Sequence, residues 1–378
     1  MIIAYMYELK IYPPRGGNHR HAYELVSGFI EKSHEVRVLN DPTVPGAINF
    51  PHEQLNRFLE GADILYVRID ARPVRNTLFE KAIKQARCPV VWEVNAPANE
   101  SLAYSWLGGK LDLRKESPIR SLKRFVHALR KYPEIYFEES RRKSLSQKVF
   151  AHICVTRALA DYAKIRLSAR STLVNPNGGN LLPQASLHGN ANEENPFTVL
   201  YSGSAMYPWQ GLHYLNEVTA MALEQEPDIQ FVFCVSSHPE TIIQRSNTTV
   251  HVGLPHNQIL QKIGQADVCV ALYPDYPWSP WGLHNSPMKL YEYFGCGAAT
   301  ITSNLGQMKD LFTGRSVTLL TENTPEAILA SIQKIKRNPS LKKQLQESAY
   351  RLITEEMGWD RVVKRTLDVF EEALDEAR

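Results

Sequence analysis

The sequence predicts an α/β protein made of two consecutive halves, each with a parallel sheet whose strands alternate with helices. Three observations carry this prediction. Short apolar runs recur along the chain and are separated by segments whose apolar residues have helical spacing, as in βαβ units. The pattern stops over residues 181–197, which are rich in Asn, Gly, Pro and Glu, and then restarts. The 378 residues are enough for two domains with a core each.

The composition is that of a globular protein, with 43% apolar and 22% charged residues. Met1 leads directly into a strand-like run, and no uninterrupted apolar stretch approaches the length of a membrane span. We therefore expect a cytoplasmic protein. The five cysteines are scattered through apolar runs without metal-like spacing, so we expect reduced core residues and no metal site.

The chain opens with a strand, a glycine-containing loop and a helix. Ile2–Met6 is a short apolar run, Gly16 and Gly17 lie in the loop, and Glu35–Leu39 is the next strand. A double glycine is often no more than a turn. Between a strand and a helix, however, backbone without Cβ atoms allows the close approach of a phosphate or a sugar.

Two further strands, Ile64–Val67 and Pro89–Val94, continue the first half. Asn95 follows the second of them, at the carboxyl end of a strand, where open α/β sheets bind ligands. A loop asparagine has either a structural role or a contact with substrate, and the sequence leaves both open. His152–Thr156 and Thr156–Leu167 are predicted as the next strand and helix.

The segment 110–148 is strongly basic, with 12 Lys or Arg against 5 Asp or Glu. Apolar residues at helical spacing within it predict a helix. The helix has either a solvated basic face or a surface for an anionic partner, which would be membrane headgroups or a phosphate-bearing acceptor. Nucleic acid is not expected, since the aromatic residues lack the arrangement that stacking on single strands requires.

The second half restarts the alternation. Thr198–Ser202 is predicted as a strand and Leu212–Leu223 as a helix. Phe231–Val235, Val250–Val252 and Val268–Leu272 are predicted as further strands, because each is apolar and bounded by turn or helix signals.

A loop, a helix and a strand over residues 282–300 form the stretch with the clearest chemical signal. Ser286 is a suitable N-cap and Pro287 a suitable first helical residue. The free amides of Met288 and Lys289, with the positive end of the helix dipole, suit a phosphate. Lys289 and Glu292 share one helix face. The alternative is a capped surface helix on which these two side chains only pair with each other.

Residues 286–293, Ser-Pro-Met-Lys-Leu-Tyr-Glu-Tyr, resemble the donor-site signature of the retaining glycosyltransferases of family four, in its Ser-Pro-x-Lys-x-x-Glu-Tyr variant. The turn Pro176-Asn177-Gly178 is similar to the one that closes the first domain in that family. The resemblance implies the GT-B fold, with two Rossmann-like domains facing a cleft and a C-terminal helix that crosses back to the first. The implied domains are 1–185 with 360–378, and 196–358.

The resemblance also implies roles for single residues. Lys289 and the Met288 amide would stabilise the departing diphosphate, and Glu292 would hold the nucleotide ribose. Leu254 would lie at the base, and Asn95 at the acceptor side. This chain differs from the family at two charged positions: the family has an arginine and a lysine where this chain has Ser204 and Gln210. The predicted donor-binding residues are Gly16, Gly17, Gly203, Ser204, Gln210, Leu254, His284, Asn285, Ser286, Pro287 and Met288; His284 stands where the family has the first glutamate of its signature.

The implied activity is transfer of a sugar from a nucleoside diphosphate sugar to an acceptor hydroxyl, with retention of anomeric configuration. UDP is the expected nucleotide, because it is the commonest in the family, and no metal is expected. Two alternatives stay open: a binding subunit without turnover, and an epimerase of the same fold acting on a nucleotide sugar. If the basic segment binds headgroups, the protein works at the inner face of a membrane.

Overall fold

The computed structural model describes residues 1–7, 9–14, 17–39, 44–71, 73–98, 100, 126, 133, 136–182, 196–205, 210–276 and 279–378. These residues form two compact units. The first comprises Met1–Asn177, Tyr276–Ser286 and Trp359–Arg378, and the second comprises Gly178–Asp275 and Pro287–Gly358.

The first unit contains a seven-stranded parallel sheet with the strand order β3-β2-β1-β4-β5-β6-β7. Its strands are β1 Ile2–Tyr7, β2 Glu35–Leu39, β3 Ile48–Phe50, β4 Ile64–Ile69, β5 Val90–Val94, β6 Ala151–Cys154 and β7 Thr172–Val174. Its helices are α1 Gly17–Glu31, α2 Leu55–Leu59, α3 Leu78–Gln85, α4 at 136–146, α5 Arg157–Arg166 and, at the end of the chain, α12 Trp359–Ala377.

The central strands explain why this sheet is parallel. Every residue of β4 and of β5 is buried, which requires cover on both faces of the sheet. Helix α12 supplies part of that cover by packing on α1, where a Cβ atom at Gly28 would overlap the side chain of Val363. Asn175 fixes the same helix, since its side-chain amide donates to the carbonyl oxygen of Val362 and to the hydroxyl of Thr366, each at 3.0 Å.

The second unit contains a six-stranded parallel sheet with the strand order β10-β9-β8-β11-β12-β13. Its strands are β8 Phe197–Gly203, β9 Ile229–Val235, β10 Thr248–Val252, β11 Val268–Ala271, β12 Thr300–Ser303 and β13 Leu319–Thr321. Its helices are α6 Leu212–Gln225, α7 His256–Gln265, α8 Met288–Gly295, α9 Gly306–Phe312, α10 Pro325–Lys336 and α11 Pro339–Leu352.

Helix α8, which carries the signature, is a buried element of the second unit. Its residues Leu290, Tyr291 and Phe294 are fully buried. The backbone N–H of Leu182 donates to the carbonyl oxygen of Gly295 at 3.0 Å, and a Cβ atom at Gly295 would overlap the carbonyl oxygen of Asn180. The glycine therefore permits the chain that enters the unit to run against the end of α8.

Three predictions about the chain as a whole can be compared with the structure. All five cysteines are free; four of them are buried, as expected for core residues, and Cys88 is half-buried. None of the helices in the described ranges combines the length and the apolar character that a membrane crossing needs. The described residues also bring together no group of three or more His, Cys, Asp or Glu side chains suited to a metal ion.

Candidate functional site

The side chain of Lys289 turns into the second unit and ends in a recess formed by Tyr201, Gly203, Gln210 and Tyr273, here named the lysine recess. Its Nζ atom lies 3.0 Å from the Tyr201 hydroxyl and 2.7 Å from Oε1 of Gln210. The same atom stands 4.1 Å from the ring centroid of Tyr201 and 5.5 Å from that of Tyr273. The ammonium group is thus held by neutral oxygen atoms and by the faces of aromatic rings.

The recess is formed where β8 ends beside the first turn of α8. Gly203, the last residue of β8, has φ of 144°, a value that side chains rarely adopt. A Cβ atom there would lie 3.0 Å from Nζ of Lys289 and 3.2 Å from the Tyr201 hydroxyl. The predicted donor-binding role of Gly203 stays a prediction; in the structure the lysine occupies the space that a side chain at this position would need.

Lys289 is only 9% exposed, and none of the ion pairs among the described residues includes it. Burial lowers the pKa of its ammonium from the ordinary 10.5 to about 7, and the nearby charge of Glu292 opposes this shift. A buried cation whose partners are all neutral is destabilised, and an anion placed beside it would relieve that cost. The recess is therefore suited to an anionic ligand.

Glu292 does not pair with Lys289. Its Oε1 atom lies 4.0 Å from Nε2 of His256, and its side chain is 24% exposed. The alternative interpretation, a surface helix on which Lys289 and Glu292 only neutralise each other, is wrong because α8 is buried and the lysine is directed elsewhere.

Ser286 and Pro287 begin the helix differently from the prediction. Helix α8 starts at Met288, Pro287 occupies the N-cap position, and no side chain caps the helix. The predicted capping role of Ser286 is wrong, because its hydroxyl accepts the backbone N–H of Asn177 at 3.2 Å. The side-chain amide of Asn177 also donates to the carbonyl oxygen of Ser286 at 2.7 Å. Ser286 is thus anchored in the first unit, one residue before the chain enters the second.

The ring of His284 is fully buried in the first unit. Its Nδ1 atom lies 3.0 Å from the carbonyl oxygen of Gly282, and its Nε2 atom lies 2.9 Å from Oε1 of Glu100. The Tyr276 ring packs edge-on against it, with 5.5 Å between the ring centroids. Both of its nitrogen atoms thus face partners within the first unit, and the predicted donor contact of this ring stays a prediction. The neighbouring Asn285 directs its amide toward the Tyr276 hydroxyl at 3.4 Å.

A buried polar cluster lies at the carboxyl ends of β4 and β5 in the first unit. Asn95 accepts a hydrogen bond at Oδ1 from Nη2 of Arg68 at 3.0 Å. The other arm of Arg68 contacts Glu93, whose second oxygen accepts the Tyr66 hydroxyl at 2.6 Å. Nε2 of His21 stands 2.9 Å from Oε1 of Glu93. Because Arg68 occupies its oxygen, Asn95 has the N–H donors of its amide left to present.

The sequence analysis missed Arg68, Glu93 and His21 as members of this cluster. Two signals were present: an arginine within the apolar run of β4 and a glutamate within that of β5, since charged residues are seldom fully buried without a partner.

Residues 218–368 match the model of a family described as glycosyl transferase-like. Curated protein sequences yield no match at a significant level of similarity. Among solved structures, sucrose-phosphate synthase from Thermosynechococcus elongatus is similar with a TM-score of 0.68 and 16% identity, covering 100% of both chains. The fold is GT-B.

Two further solved structures are similar to this chain over almost its whole length. Anabaena HepE, solved in complex with UDP-glucose, has a TM-score of 0.65 and 12% identity, covering 98% of this chain and 99% of its own. A putative UDP-N-acetylglucosamine 2-epimerase from Listeria monocytogenes has a TM-score of 0.55 and 12% identity, covering 99% of this chain and 96% of its own. The predicted fold class is confirmed, and residues 218–368 are glycosyltransferase-like.

In this GT-B chain the predicted site residues divide between the two units. Asn95, His284, Asn285 and Ser286 belong to the first, together with Gly17, an exposed residue at the start of α1. The second unit contains Gly203, Ser204, Gln210, Leu254, Pro287, Met288, Lys289 and Glu292.

Several of these residues lie close to the recess or at the end of a strand. The carbonyl oxygen of Ser204 accepts the Tyr201 hydroxyl at 2.8 Å, so this residue borders the lysine recess through its backbone. Leu254 is half-buried just after β10, and its role at the base stays a prediction.

Other predictions fall outside the described residues. Gly16 and most of the basic segment 110–148 are among them. The described part of that segment includes α4, where Tyr136 and Phe137 are 70% and 63% exposed. An anionic membrane or a phosphate-bearing acceptor as its partner stays a prediction.

Proposed function

We propose that this chain is a retaining glycosyltransferase, which moves a sugar from a nucleoside diphosphate sugar to an acceptor hydroxyl. The observation that carries the proposal is the buried ammonium of Lys289, which has neutral partners and lies in the first turn of α8. A diphosphate at this point would meet the cation, the free amides of the first turn and the positive end of the helix dipole.

The chemistry follows from where charge develops. As the bond between the anomeric carbon and the diphosphate oxygen breaks, negative charge builds up on the departing diphosphate. Lys289 and the amides of Met288 and Lys289 stabilise that charge in a water-poor recess, where each hydrogen bond is worth more than in water. Their positions are fixed before the reaction, so no reorganisation is needed during it.

The acceptor oxygen forms the new bond to the anomeric carbon on the face from which the diphosphate leaves. Its proton passes to a phosphate oxygen of the leaving group, so no side-chain nucleophile is required. In this proposal Glu292, with its partly exposed carboxylate, accepts hydrogen bonds from the ribose hydroxyls. Asn95 offers N–H donors to the acceptor, and Lys289 with the helix dipole takes the place of a divalent ion.

UDP is the nucleotide we propose, supported by the similarity to HepE, whose structure holds UDP-glucose. The test is incubation of the purified chain with radiolabelled UDP-, GDP- and ADP-sugars, followed by separation of free and transferred sugar. We expect transfer to an added acceptor, or slow hydrolysis, with one donor series. NMR of the product should show the anomeric configuration of the donor. The absence of both reactions with all three series would reject the proposal.

One observation favours a second candidate, a nucleotide-sugar-binding subunit without turnover. Ser204 and Gln210 bring no charge to the recess, where the family that the sequence resembles has an arginine and a lysine. This candidate predicts calorimetric binding of a nucleoside diphosphate with no catalysis until a partner protein is added.

A further inference from the structure

Gln210 is the closest hydrogen-bond partner of the Lys289 ammonium, with 2.7 Å between Oε1 and Nζ. The same oxygen lies 3.4 Å from the Tyr201 hydroxyl. An ammonium group has donors only, so the glutamine has to present its oxygen here and direct its NH2 group elsewhere. The amide of Gln210 is therefore held in one orientation by the lysine.

The lysine in turn has little freedom to leave. Gly203 lies against Cε and Nζ, and the Tyr201 ring lies 4.1 Å from Nζ, so the side chain is enclosed along its outer half. A lysine normally keeps its ammonium in water by extending along a surface. Here the enclosure prevents that, and the charge stays in the recess.

Because Gln210 is neutral, the positive charge of Lys289 stays available to an anionic ligand. An amide oxygen satisfies one donor of the ammonium but leaves its full positive charge uncompensated. A carboxylate in the same place would form a buried ion pair, and a diphosphate would then have to compete with a resident anion. Glutamate has nearly the same shape as glutamine, so the shape of the recess alone does not require the amide.

We propose that Gln210 is a positioning and specificity-determining residue, which fixes the Lys289 ammonium by a hydrogen bond while keeping its charge available to the diphosphate of a nucleotide sugar. The inference rests on the proposed function and extends it, because it assigns the affinity for the diphosphate to Lys289 and Gln210 together. It also explains how the chain can have a glutamine where the family that it resembles has a lysine, because Lys289 brings a positive charge to the same place.

The test compares the binding of UDP, measured calorimetrically at pH 7, in the wild-type chain, Gln210→Glu and Gln210→Met. In Gln210→Glu we expect UDP affinity to fall at least about tenfold, equivalent to about 1.4 kcal/mol. Its melting temperature without ligand should equal or exceed that of the wild type, because the buried cation gains a counter-ion. Gln210→Met, which loses the oxygen without adding charge, should lose less affinity than Gln210→Glu. Gln344→Glu, which adds the same charge on the exposed face of α11, is the matched control and should bind UDP as the wild type does.

Wild-type affinity in Gln210→Glu would overturn the inference. So would a loss of affinity in Gln210→Met as large as that in Gln210→Glu, or a fall in melting temperature in Gln210→Glu, because each would indicate a packing role rather than a role in charge. If the wild-type chain binds none of UDP, GDP and ADP, the proposed function itself is rejected. If the wild type binds UDP and Gln210→Glu binds it equally well, only the inference about Gln210 is rejected.

Discussion

The Nζ atom of Lys289 would stand 3.0 Å from a Cβ atom placed on Gly203. These residues are far apart in the chain, yet the glycine that ends β8 leaves the space into which the lysine of α8 extends. Because Gly203 also has φ of 144°, a side chain there is disfavoured both by overlap and by backbone conformation.

The first prediction concerns this glycine. Gly203→Ala should displace the Lys289 ammonium and should cost about 1–3 kcal/mol of stability from backbone strain alone. Gly253→Ala is the matched control, because Gly253 also has a positive φ, of 66°, but no atom within 4 Å of its Cβ position. Thermal unfolding and UDP binding should be measured for both variants. Both should lose stability, and only Gly203→Ala should also lose UDP affinity; equal affinity in the two variants would argue against the recess.

The second prediction concerns the pH dependence of stability. In the folded chain Lys289 has a pKa lowered to about 7, whereas the ordinary value of 10.5 applies when the chain is unfolded. Between these values the unfolded state binds more protons, so the destabilisation is complete below about pH 7 and is lost as the pH rises toward 10.5. The free energy of unfolding should therefore be measured with urea for the wild type and for Lys289→Met at pH 7 and pH 9. The wild type should be less stable than the variant at pH 7, and this difference should be smaller at pH 9. A deficit independent of pH would contradict the burial of the charge.

A third prediction links UDP binding to protonation. The diphosphate favours the charged form of Lys289, so binding should raise the pKa of this group and take up a fraction of a proton near pH 7. Affinity should consequently weaken as the pH rises above about 7. Calorimetry in buffers of different ionisation enthalpy measures the uptake directly. The uptake should disappear in Lys289→Met, and its persistence there would assign the proton to another group.

The fourth prediction separates the acceptor from the donor. In Asn95 the oxygen is held by Arg68 at 3.0 Å, so truncation to alanine removes the N–H donors that the amide presents. Asn95→Ala should raise the KM for the acceptor by roughly 2- to 10-fold, the effect of one hydrogen bond of about 0.5–1.5 kcal/mol. The affinity for UDP should stay that of the wild type. A loss of UDP affinity as large as the change in acceptor KM would show that the residue acts on the donor instead.

The features that the sequence predicted correctly depend on local pattern. Most of the parallel strands of both sheets follow from apolar runs, as in β4 and β5. Strand β3, at Ile48–Phe50, was not predicted, because a strand of three residues carries too little pattern.

The contacts that form the site could not be predicted from local rules, because they join distant parts of the chain. Gln210 meets Lys289 across 79 positions, and Ser286 meets Asn177 across 109. The second contact also explains the wrong N-cap prediction: the propensity of serine to cap a helix was overridden by a tertiary hydrogen bond. His284 likewise meets Glu100, from 184 positions away, and is buried where its place in the signature predicted a ligand contact.

The central claim, that the ammonium of Lys289 binds the diphosphate of a nucleotide, is tested most directly by calorimetric titration of UDP into the wild-type chain and into Lys289→Met at pH 7. Methionine fills the recess without charge, so the fold should persist. We expect measurable binding to the wild type and a loss of at least about 1.5–3 kcal/mol in the variant, the value of a charged hydrogen bond. Equal affinity of the two proteins for UDP would contradict the claim.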